Sequence, residues 1–256
     1  MTAPVAPLWV RLVQVPKAGT APEDCQDAAG VDAERGRFAL ADGATESWYS
    51  ALWARLLVES FLARDEPIPP LPDWLLEPRR TWIEQTDREV PHEPGQIEWF
   101  LEERYRLGAY STFLGLALTR DAESGSLAWS AVALGDTCLF LVRDERLLAL
   151  FPIDQASRFD SVPWLVGSRG GDEIFRQHAD FLAGGLLPGD QLFLMTDALA
   201  LWFLQRHELE KKPWEALRLV VQVEHPLEAF RLWMDGMRQR HLIRDDDVTL
   251  LMIRVE

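Results

Sequence analysis

Apolar residues along the chain follow two spacings, and the change from one to the other separates predicted strands from predicted helices. Residues 8–15, LWVRLVQV, alternate with period two and predict a strand, and the apolar run at residues 36–42, GRFALAD, predicts a second one. Residues 46–64 place tryptophan and leucine at helical spacing, which predicts an amphipathic helix packed on a sheet. Residues 73–90 and 96–108 are predicted as further helices.

From residue 110 the pattern changes to short apolar runs separated by turn residues. These runs predict an antiparallel meander of four strands, at residues 110–119, 126–136, 137–144 and 146–153. The segment FLAGGLLPGD, residues 181–190, is interpreted as a helix cap and a turn. The remaining predicted elements are a strand leading into a helix (189–204), two helices that begin with proline (213–222 and 226–241) and a C-terminal strand (245–256).

The order of these elements favours an α+β fold, because strands and helices are segregated and do not alternate. Hydrophobic residues make up 48% of the 256 residues, which is enough to bury a large core. Since no repeat, low-complexity tract or linker interrupts the pattern, we expect residues 1–256 to form a single domain.

Charge and cysteine content narrow the class of protein. The chain carries 26 basic and 41 acidic residues, a formal charge of −15, so binding to nucleic acid or to an anionic membrane is not expected. Cys25 and Cys138 form no CxxC pair, which indicates two reduced thiols. Neither a secretory signal nor an apolar run of about 18 residues is present, so we expect a cytoplasmic protein.

Acidic residues recur where the predicted strands begin or end. They are Asp27, Asp42, Asp136, Asp197 and the triplet Asp245, Asp246 and Asp247. An aspartate at a strand end is more often a turn residue than a catalytic one. Several carboxylates on one rim, however, repel each other unless a cation lies among them, and hard oxygen ligands suit Mg²⁺ or Mn²⁺. Gly43, directly after Asp42, allows close approach of the backbone, so its carbonyl is a further candidate ligand.

The order of these motifs resembles that of the metal-dependent serine/threonine protein phosphatases, the protein phosphatase 2C (PPM) family. The motifs are ED…DA, FALADGATES, GDTCLFLVRDERL, GDQLFLMTDAL and DDDVTLLMI, and they span almost the whole chain. The resemblance implies a four-layer α-β-β-α sandwich of two antiparallel sheets flanked by helices. It also implies hydrolysis of phosphoprotein substrates by a water that bridges two Mn²⁺ or Mg²⁺ ions, without a covalent phosphoenzyme.

The resemblance assigns roles to individual residues. Asp42 resembles the aspartate that bridges both metals, and Gly43 resembles the glycine whose carbonyl binds one of them. Asp197 and Asp246 resemble further metal ligands, and Asp136 resembles an aspartate available to an extra metal. Asp27 resembles an outer aspartate that orients water, so Asp42 and Asp27 are the predicted catalytic residues.

The chain departs from the family pattern at several positions, which leaves a second reading open. Gln26 stands where the family has glutamate, Pro22 where it has a phosphate-binding arginine, and Ala198 where it has glycine; Lys17 is the basic residue closest to Pro22. Glu23, Asp24 and Glu46 are candidates to compensate for Gln26. The alternative is therefore a pseudophosphatase that acts as a binding or regulatory module. A third, weaker option is hydrolysis of a small phosphorylated metabolite.

Other polar residues are predicted to have ordinary roles. Arg169 lies in a glycine-rich segment and is interpreted as a solvated loop residue, with phosphate binding as the alternative. Ser111 and Thr112 lack the context of a nucleophilic serine and are interpreted as strand hydroxyls. The histidines are interpreted as surface or helix-end residues: His92, His178, His207, His225 and His241.

Overall fold

The computed structural model describes residues 5–45, 47–64, 68, 72–88, 99–121, 123–159, 162–170 and 172–256. The strands are β1 (Leu8–Val15), β2 (Asp27–Asp32), β3 (Arg37–Asp42), β4 (Tyr110–Ser111), β5 (Phe113–Arg120), β6 (Leu127–Leu134), β7 (Cys138–Arg143), β8 (Arg146–Phe151), β9 (Val166–Gly167), β10 (Asp180–Leu186), β11 (Gln191–Met195) and β12 (Val248–Val255). The α-helices are α1 (Ser50–Leu62), α2 (Leu76–Asp87), α3 (Trp99–Leu107), α4 (Glu173–His178), α5 (Asp197–Glu208), α6 (Pro213–Val221) and α7 (Pro226–Gln239). None of the helices in these ranges is long and apolar enough to cross a membrane.

Two five-stranded sheets form the centre of the molecule. The first has the strand order β1-β12-β11-β7-β8 and the second has the order β10-β6-β5-β3-β2. Every strand pair in both sheets is antiparallel. Strands β4 and β9 form a separate two-stranded sheet. The predicted α+β class with two antiparallel sheets is therefore confirmed.

The alternation of side chains along each strand divides the core into three apolar layers. On β12, Leu251 and Ile253 belong to the layer between the sheets, whereas Leu250 and Met252 face the opposite way. That outer layer also contains the buried residues of α5, α6 and α7. Because successive strand residues point to opposite faces, one apolar strand serves both layers. The first sheet is thus covered by helices on its outer side.

Helix α1 covers the outer face of the second sheet, as the tryptophan and leucine spacing predicts. Trp53 and Phe61 are fully buried against Ala39 and Ala41 of β3. The Trp53 indole Nε1–H also donates a hydrogen bond of 2.8 Å to the carbonyl oxygen of Val166. The result is the predicted four-layer α-β-β-α sandwich. The expectation of one domain over residues 1–256 stays a prediction.

The predicted four-stranded meander is wrong in one respect, because its strands belong to two sheets. The β5–β6 hairpin lies in the second sheet and the β7–β8 hairpin lies in the first. The chain crosses between the sheets at residues 135–137. Alternating apolar residues indicate strands but do not identify their hydrogen-bonding partners, so the crossing left no signal in the pattern.

The two-residue strand β9 and two longer strands, β2 and β10, are absent from the sequence-based prediction. Residues 181–190 contain most of β10, which pairs with β6, and were interpreted as a cap and a turn. Both strands are rich in alanine and glycine, which have low strand propensity. Packing explains one of these small residues: a Cβ on Gly30 would lie 2.4 Å from Leu62 Cδ1 of α1. A larger residue at this position would therefore force Leu62 or Val58 of α1 to move, so glycine favours the close contact between α1 and β2.

Candidate active site

Asp27 and Asp42 lie opposite each other on neighbouring strands. Asp27 begins β2, Asp42 ends β3, and the two are paired in the antiparallel register. The Asp42 backbone is held by Thr112, whose Oγ1 accepts its N–H at 3.0 Å and whose own N–H donates to the Asp42 carbonyl at 2.9 Å. Like charges directly opposite on a sheet repel each other, so this pair destabilises the strand end unless a cation or protons offset it.

Three further aspartates reach the same end of the sandwich from other segments. Asp136 lies in the connection between β6 and β7, and Asp197 is the first residue of α5, directly after β11. Asp246 precedes β12, which is antiparallel to β11. Because the end of β11 therefore meets the start of β12, Asp197 and Asp246 lie at one edge of the first sheet.

Asp42 and the three aspartates from the other segments line one cavity of about 430 Å³. Its wall includes all five residues predicted as metal ligands, Asp42, Gly43, Asp136, Asp197 and Asp246. The cavity has the size of a small-molecule or cofactor site. Acidic residues that are far apart in the chain thus lie around one cavity, as expected from the sequence. Their roles as metal ligands stay a prediction.

Burial and mutual repulsion raise the pKa values of the clustered carboxyls. The pKa of Asp42 lies well above its usual value, first because of burial and then because of the charges of Asp27, Asp197, Asp136 and Asp246. Burial and the charges of Asp136 and Asp246 raise the pKa of Asp197 to about 7. Burial also raises the pKa of Asp136 to about 6. The cluster therefore carries negative charge that the surrounding protein does not fully offset.

Asp27 lies behind the cavity and does not line it. Its Oδ2 accepts hydrogen bonds from Thr249 Oγ1 at 2.7 Å and from Thr196 Oγ1 at 3.0 Å, whereas its buried Oδ1 has no hydrogen-bond partner. Burial raises the pKa of Asp27 to about 8, and the charges of Asp247 and Asp197 act in the same direction. An unpartnered buried carboxylate oxygen is costly, so it is available to a water molecule or to another donor.

The three consecutive aspartates before β12 have different surroundings. Asp247 is buried and accepts the backbone N–H groups of Lys17 at 2.8 Å and Gln26 at 2.7 Å. Asp245 accepts the N–H of Ala18 and pairs with Arg238, with Nε–Oδ1 at 3.3 Å. Of the three, Asp246 lines the cavity. Asp245 and Asp247 therefore hold the segment between β1 and β2 in place.

Gly43 is required by packing. A Cβ on this residue would lie 2.9 Å from the Gln26 carbonyl oxygen and 3.0 Å from Ser50 Cβ. Its N–H donates to that same carbonyl oxygen at 3.2 Å. The residue thus joins the start of β2, the end of β3 and the start of α1, which supports the prediction of close backbone approach.

The donor chemistry of the cavity fits a hard divalent cation. Five carboxylates line it, since Asp180 joins the four predicted aspartates, and the Oδ1 atom of the buried Asp27 has no hydrogen-bond partner. Among the residues that the structure describes, no three His, Cys, Asp or Glu side chains are arranged so that they could hold one ion. This does not oppose the fit, because Mg²⁺ keeps several waters and binds through one or two carboxylates. Glu46, a candidate to compensate for Gln26, lies outside the described residues.

Several residues that line the cavity were not predicted. Arg158, Trp164, His178 and Arg244 form part of its wall. The His178 ring stacks on Trp164 with centroids 3.8 Å apart, so the surface interpretation of this histidine is incomplete. A signal for Arg244 was present in the sequence, since it is a basic residue directly before three aspartates.

The basic residues singled out from the sequence do not line the cavity. Lys17 is absent from its wall. Arg169 is neither a solvated loop residue nor a cavity residue: its guanidinium lies over the rings of Tyr105 and Trp82, at 4.5 and 5.4 Å, and pairs with Asp87. A basic side chain in a glycine-rich segment thus packs on aromatic residues, which the local sequence did not indicate.

Comparison with known proteins identifies the fold. No family model matches the sequence, and no curated protein matches it either. Solved structures do: PppA, a regulatory component of T6SS in Pseudomonas aeruginosa, has a TM-score of 0.59 at 18% identity, over 98% of this chain and 99% of that one. The Mycobacterium tuberculosis serine/threonine phosphatase PstP/Ppp has a TM-score of 0.62 at 14% identity, over 97% and 99%. The chain has the PPM phosphatase fold.

A third match concerns the metal. The catalytic domain of the serine/threonine phosphatase PstP, in a structure containing two manganese ions, has a TM-score of 0.57 at 16% identity, over 97% of this chain and 99% of that one. The PPM fold therefore accommodates two manganese ions in a related structure. In this chain, the cavity with the clustered aspartates lies at one end of the same sandwich.

Proposed function

We propose that this protein is a metal-dependent phosphatase that hydrolyses phosphoserine and phosphothreonine monoesters of phosphoprotein substrates with two Mn²⁺ or Mg²⁺ ions. One observation carries the proposal: Asp42, Asp136, Asp197 and Asp246, from separate segments of a PPM fold, line one cavity. The raised pKa values of Asp42, Asp136 and Asp197, caused first by burial and then by neighbouring carboxylates, support it, because bound cations would favour the ionised form of these groups.

Named residues divide the binding of the metals in this proposal. Asp42, Gly43 through its carbonyl, Asp197 and Asp246 would hold two ions, and Asp136 would be available to an additional one. When bound, the cations lower the pKa of water and offset the charge of the phosphoryl group. Asp27, fixed by Thr196 and Thr249, has an oxygen free to accept a hydrogen bond from water and so to orient it.

Replacement of Asp42, the predicted ligand of both ions, tests the proposal. We expect purified protein to hydrolyse p-nitrophenyl phosphate and a phosphothreonine peptide only when Mn²⁺ or Mg²⁺ is added. Asp42→Asn keeps the shape but removes the charge, and it is expected to reduce kcat/KM by at least about a hundredfold. Asp235→Asn, on the exposed part of α7, is the matched control and should retain full activity. Full activity of Asp42→Asn would refute the proposal.

A pseudophosphatase is the second candidate, and Gln26 favours it. The Gln26 backbone is used in structure, as donor to Asp247 and acceptor from Gly43, but the residue does not line the cavity and supplies no carboxylate. Calorimetric titration with Mn²⁺ separates the two candidates. Micromolar binding at two sites supports the enzyme, whereas absence of binding supports a regulatory module.

The substrate class and the location belong to the same proposal. A kcat/KM at least about tenfold higher for the phosphopeptide than for small phosphate esters would support a phosphoprotein substrate, and the reverse order would favour a phosphorylated metabolite. Both cysteines are free thiols, which is consistent with a reducing, cytoplasmic location.

A further inference from the structure

The cavity needs a positive group of its own if it is to accept a phosphoryl group. Pro22 stands where the family resemblance places a phosphate-binding arginine, and Lys17 does not line the cavity. Two arginines do line it, Arg158 and Arg244. A phosphate oxygen is best held by a guanidinium, which offers paired N–H donors in a fixed plane.

Arg244 is held at the edge of the carboxylate cluster. Its Nη2 donates a hydrogen bond of 3.1 Å to the carbonyl oxygen of Phe159, and its Nη1 lies 3.6 Å from Asp197 Oδ2. The Phe159 contact fixes the guanidinium from one side, and the Asp197 contact orients it toward the other acids. Arg244 therefore bridges two parts of the cavity wall.

Most donors of Arg244 remain available. A guanidinium has five N–H donors, and for Arg244 the described part of the chain provides one hydrogen bond and one looser ion pair. The side chain is 52% exposed, so the remaining N–H groups are open to solvent.

Arg158 is placed differently. Its Nη1 donates to Asp154 Oδ1 at 3.1 Å, four residues earlier in the chain, and its side chain is 59% exposed. This local pair directs the guanidinium toward Asp154. Arg158 is thus the weaker candidate and a useful comparison.

We propose that Arg244 binds and positions the phosphoryl group in this cavity. Its N–H groups would donate hydrogen bonds to the non-bridging oxygens of the phosphoryl group. The inference rests on the proposed function, because it assumes that the cavity takes phosphate monoesters. In the family pattern the phosphate-binding arginine would stand at position 22, before β2, whereas in this proposal the arginine lies before β12. Arg244 changes partner on binding: part of its charge acts on Asp197 without substrate and on the phosphoryl oxygens with it.

Binding of inorganic phosphate tests the inference without turnover. Phosphate is titrated into Mg²⁺-loaded protein and followed by the ³¹P NMR shift. Arg244→Ala should weaken phosphate binding at least about tenfold, as expected for loss of a charge-assisted hydrogen bond, and Arg244→Lys should weaken it less. Arg231→Ala removes one positive charge from the exposed side of α7 and should have no effect. Circular dichroism spectra and thermal unfolding of each variant establish that it is folded.

Kinetics supply a second readout that a purely structural role would not move. Arg244→Ala should raise KM for p-nitrophenyl phosphate and the inhibition constant for phosphate by the same factor, with a smaller change in kcat. Unchanged phosphate binding in Arg244→Ala, or loss of binding in Arg158→Ala instead, would overturn the inference. Absence of phosphate binding in the unmodified protein would overturn it as well.

The two proposals can fail separately. If the unmodified protein binds phosphate through Arg244 but hydrolyses no phosphate ester, the phosphatase proposal fails and the positioning role stands. If it hydrolyses esters and Arg244→Ala retains phosphate affinity and KM, the positioning role fails and the phosphatase proposal stands.

Discussion

The two ends of strand β11 carry aspartates that look alike in the sequence but have opposite surroundings. In the segment GDQLFLMTDA, Asp190 comes directly before the strand and Asp197 follows two residues after it. At the first end, Asp190 is fully buried and accepts two hydrogen bonds from Arg143, at 2.7 and 2.6 Å. It also accepts the backbone N–H of Leu187 at 2.8 Å. The carboxylate there is balanced within the chain.

At the second end the balance is missing. Asp197 faces the charges of Asp136 and Asp246, and Arg244 approaches it only to 3.6 Å. Burial and these acids raise its pKa to about 7. One end of the strand is thus balanced by an arginine, whereas the charge at the other end is offset only by protonation or by a cation from outside the chain. Such unbalanced groups in a cavity are typical of functional sites.

The pH dependence of stability is the largest expected difference between the two ends. Folding raises the pKa values of Asp27 to about 8, Asp197 to about 7 and Asp136 to about 6, so the native state binds more protons than the unfolded state above pH 4. Stability therefore falls as pH rises through these values. We expect metal-free protein to lose on the order of 3 kcal/mol between pH 5 and pH 8 in urea unfolding.

Added Mn²⁺ supplies the control for this effect. We expect it to bind the native state and to restore most of the stability at pH 8, because a cation offsets the repulsion that protons relieve at pH 5. A metal-free protein whose free energy of unfolding is constant or rises over this range would contradict the interpretation of the cluster.

The comparison also explains how much of the molecule the sequence could reveal. The order of the strand-end aspartates carried the family resemblance, which predicted the sandwich and four of the five aspartates in the cavity wall, but not its arginines. The resemblance selected Asp197 and not Asp190, but it gave no physical reason, since the difference lies in Arg143, which is 47 residues from Asp190 and contacts only that aspartate. Asp27 was recognised as an acid near the site, but its burial between Thr196 and Thr249 depends on three separate strand ends.

Strand β2 and the cavity residue Arg244 were missed in the sequence for the same physical reason. The small residues of β2 are selected by contact with α1, as at Gly30, and not by strand propensity. Arg244 lines the cavity because the connection before β12 lies beside Phe159, a contact between residues 85 positions apart. Long-range packing determined these features, so local patterns could not.

The ion pair between Arg143 and Asp190 at the first end of β11 can be removed by a single substitution. Arg143→Met retains the aliphatic stem but leaves Asp190 buried without its charged partner. We expect the free energy of unfolding to fall by about 2 kcal/mol, less than for a fully enclosed pair because Asp190 keeps the Leu187 N–H. Urea unfolding followed by circular dichroism measures the change. Arg231→Met on α7 is the exposed control, and an equal loss there would remove the distinction.

The opposite response is expected at the other end of the same strand, although it is smaller. Asp197→Asn removes one charge from the cluster and keeps an oxygen that can accept the Ala198 N–H, as Asp197 Oδ1 does. Metal-free protein at pH 8 should gain about 1 kcal/mol in unfolding free energy, because repulsion with Asp136 and Asp246 disappears. The same variant should lose most of its stabilisation by Mn²⁺.

Asp190→Asn is the matched control, and it should destabilise the protein with or without Mn²⁺, because the Arg143 pair is weakened in both states. Equal signs for the two variants would mean that the charge of Asp197 is balanced like that of Asp190, and the case for a cation in the cavity would then be lost.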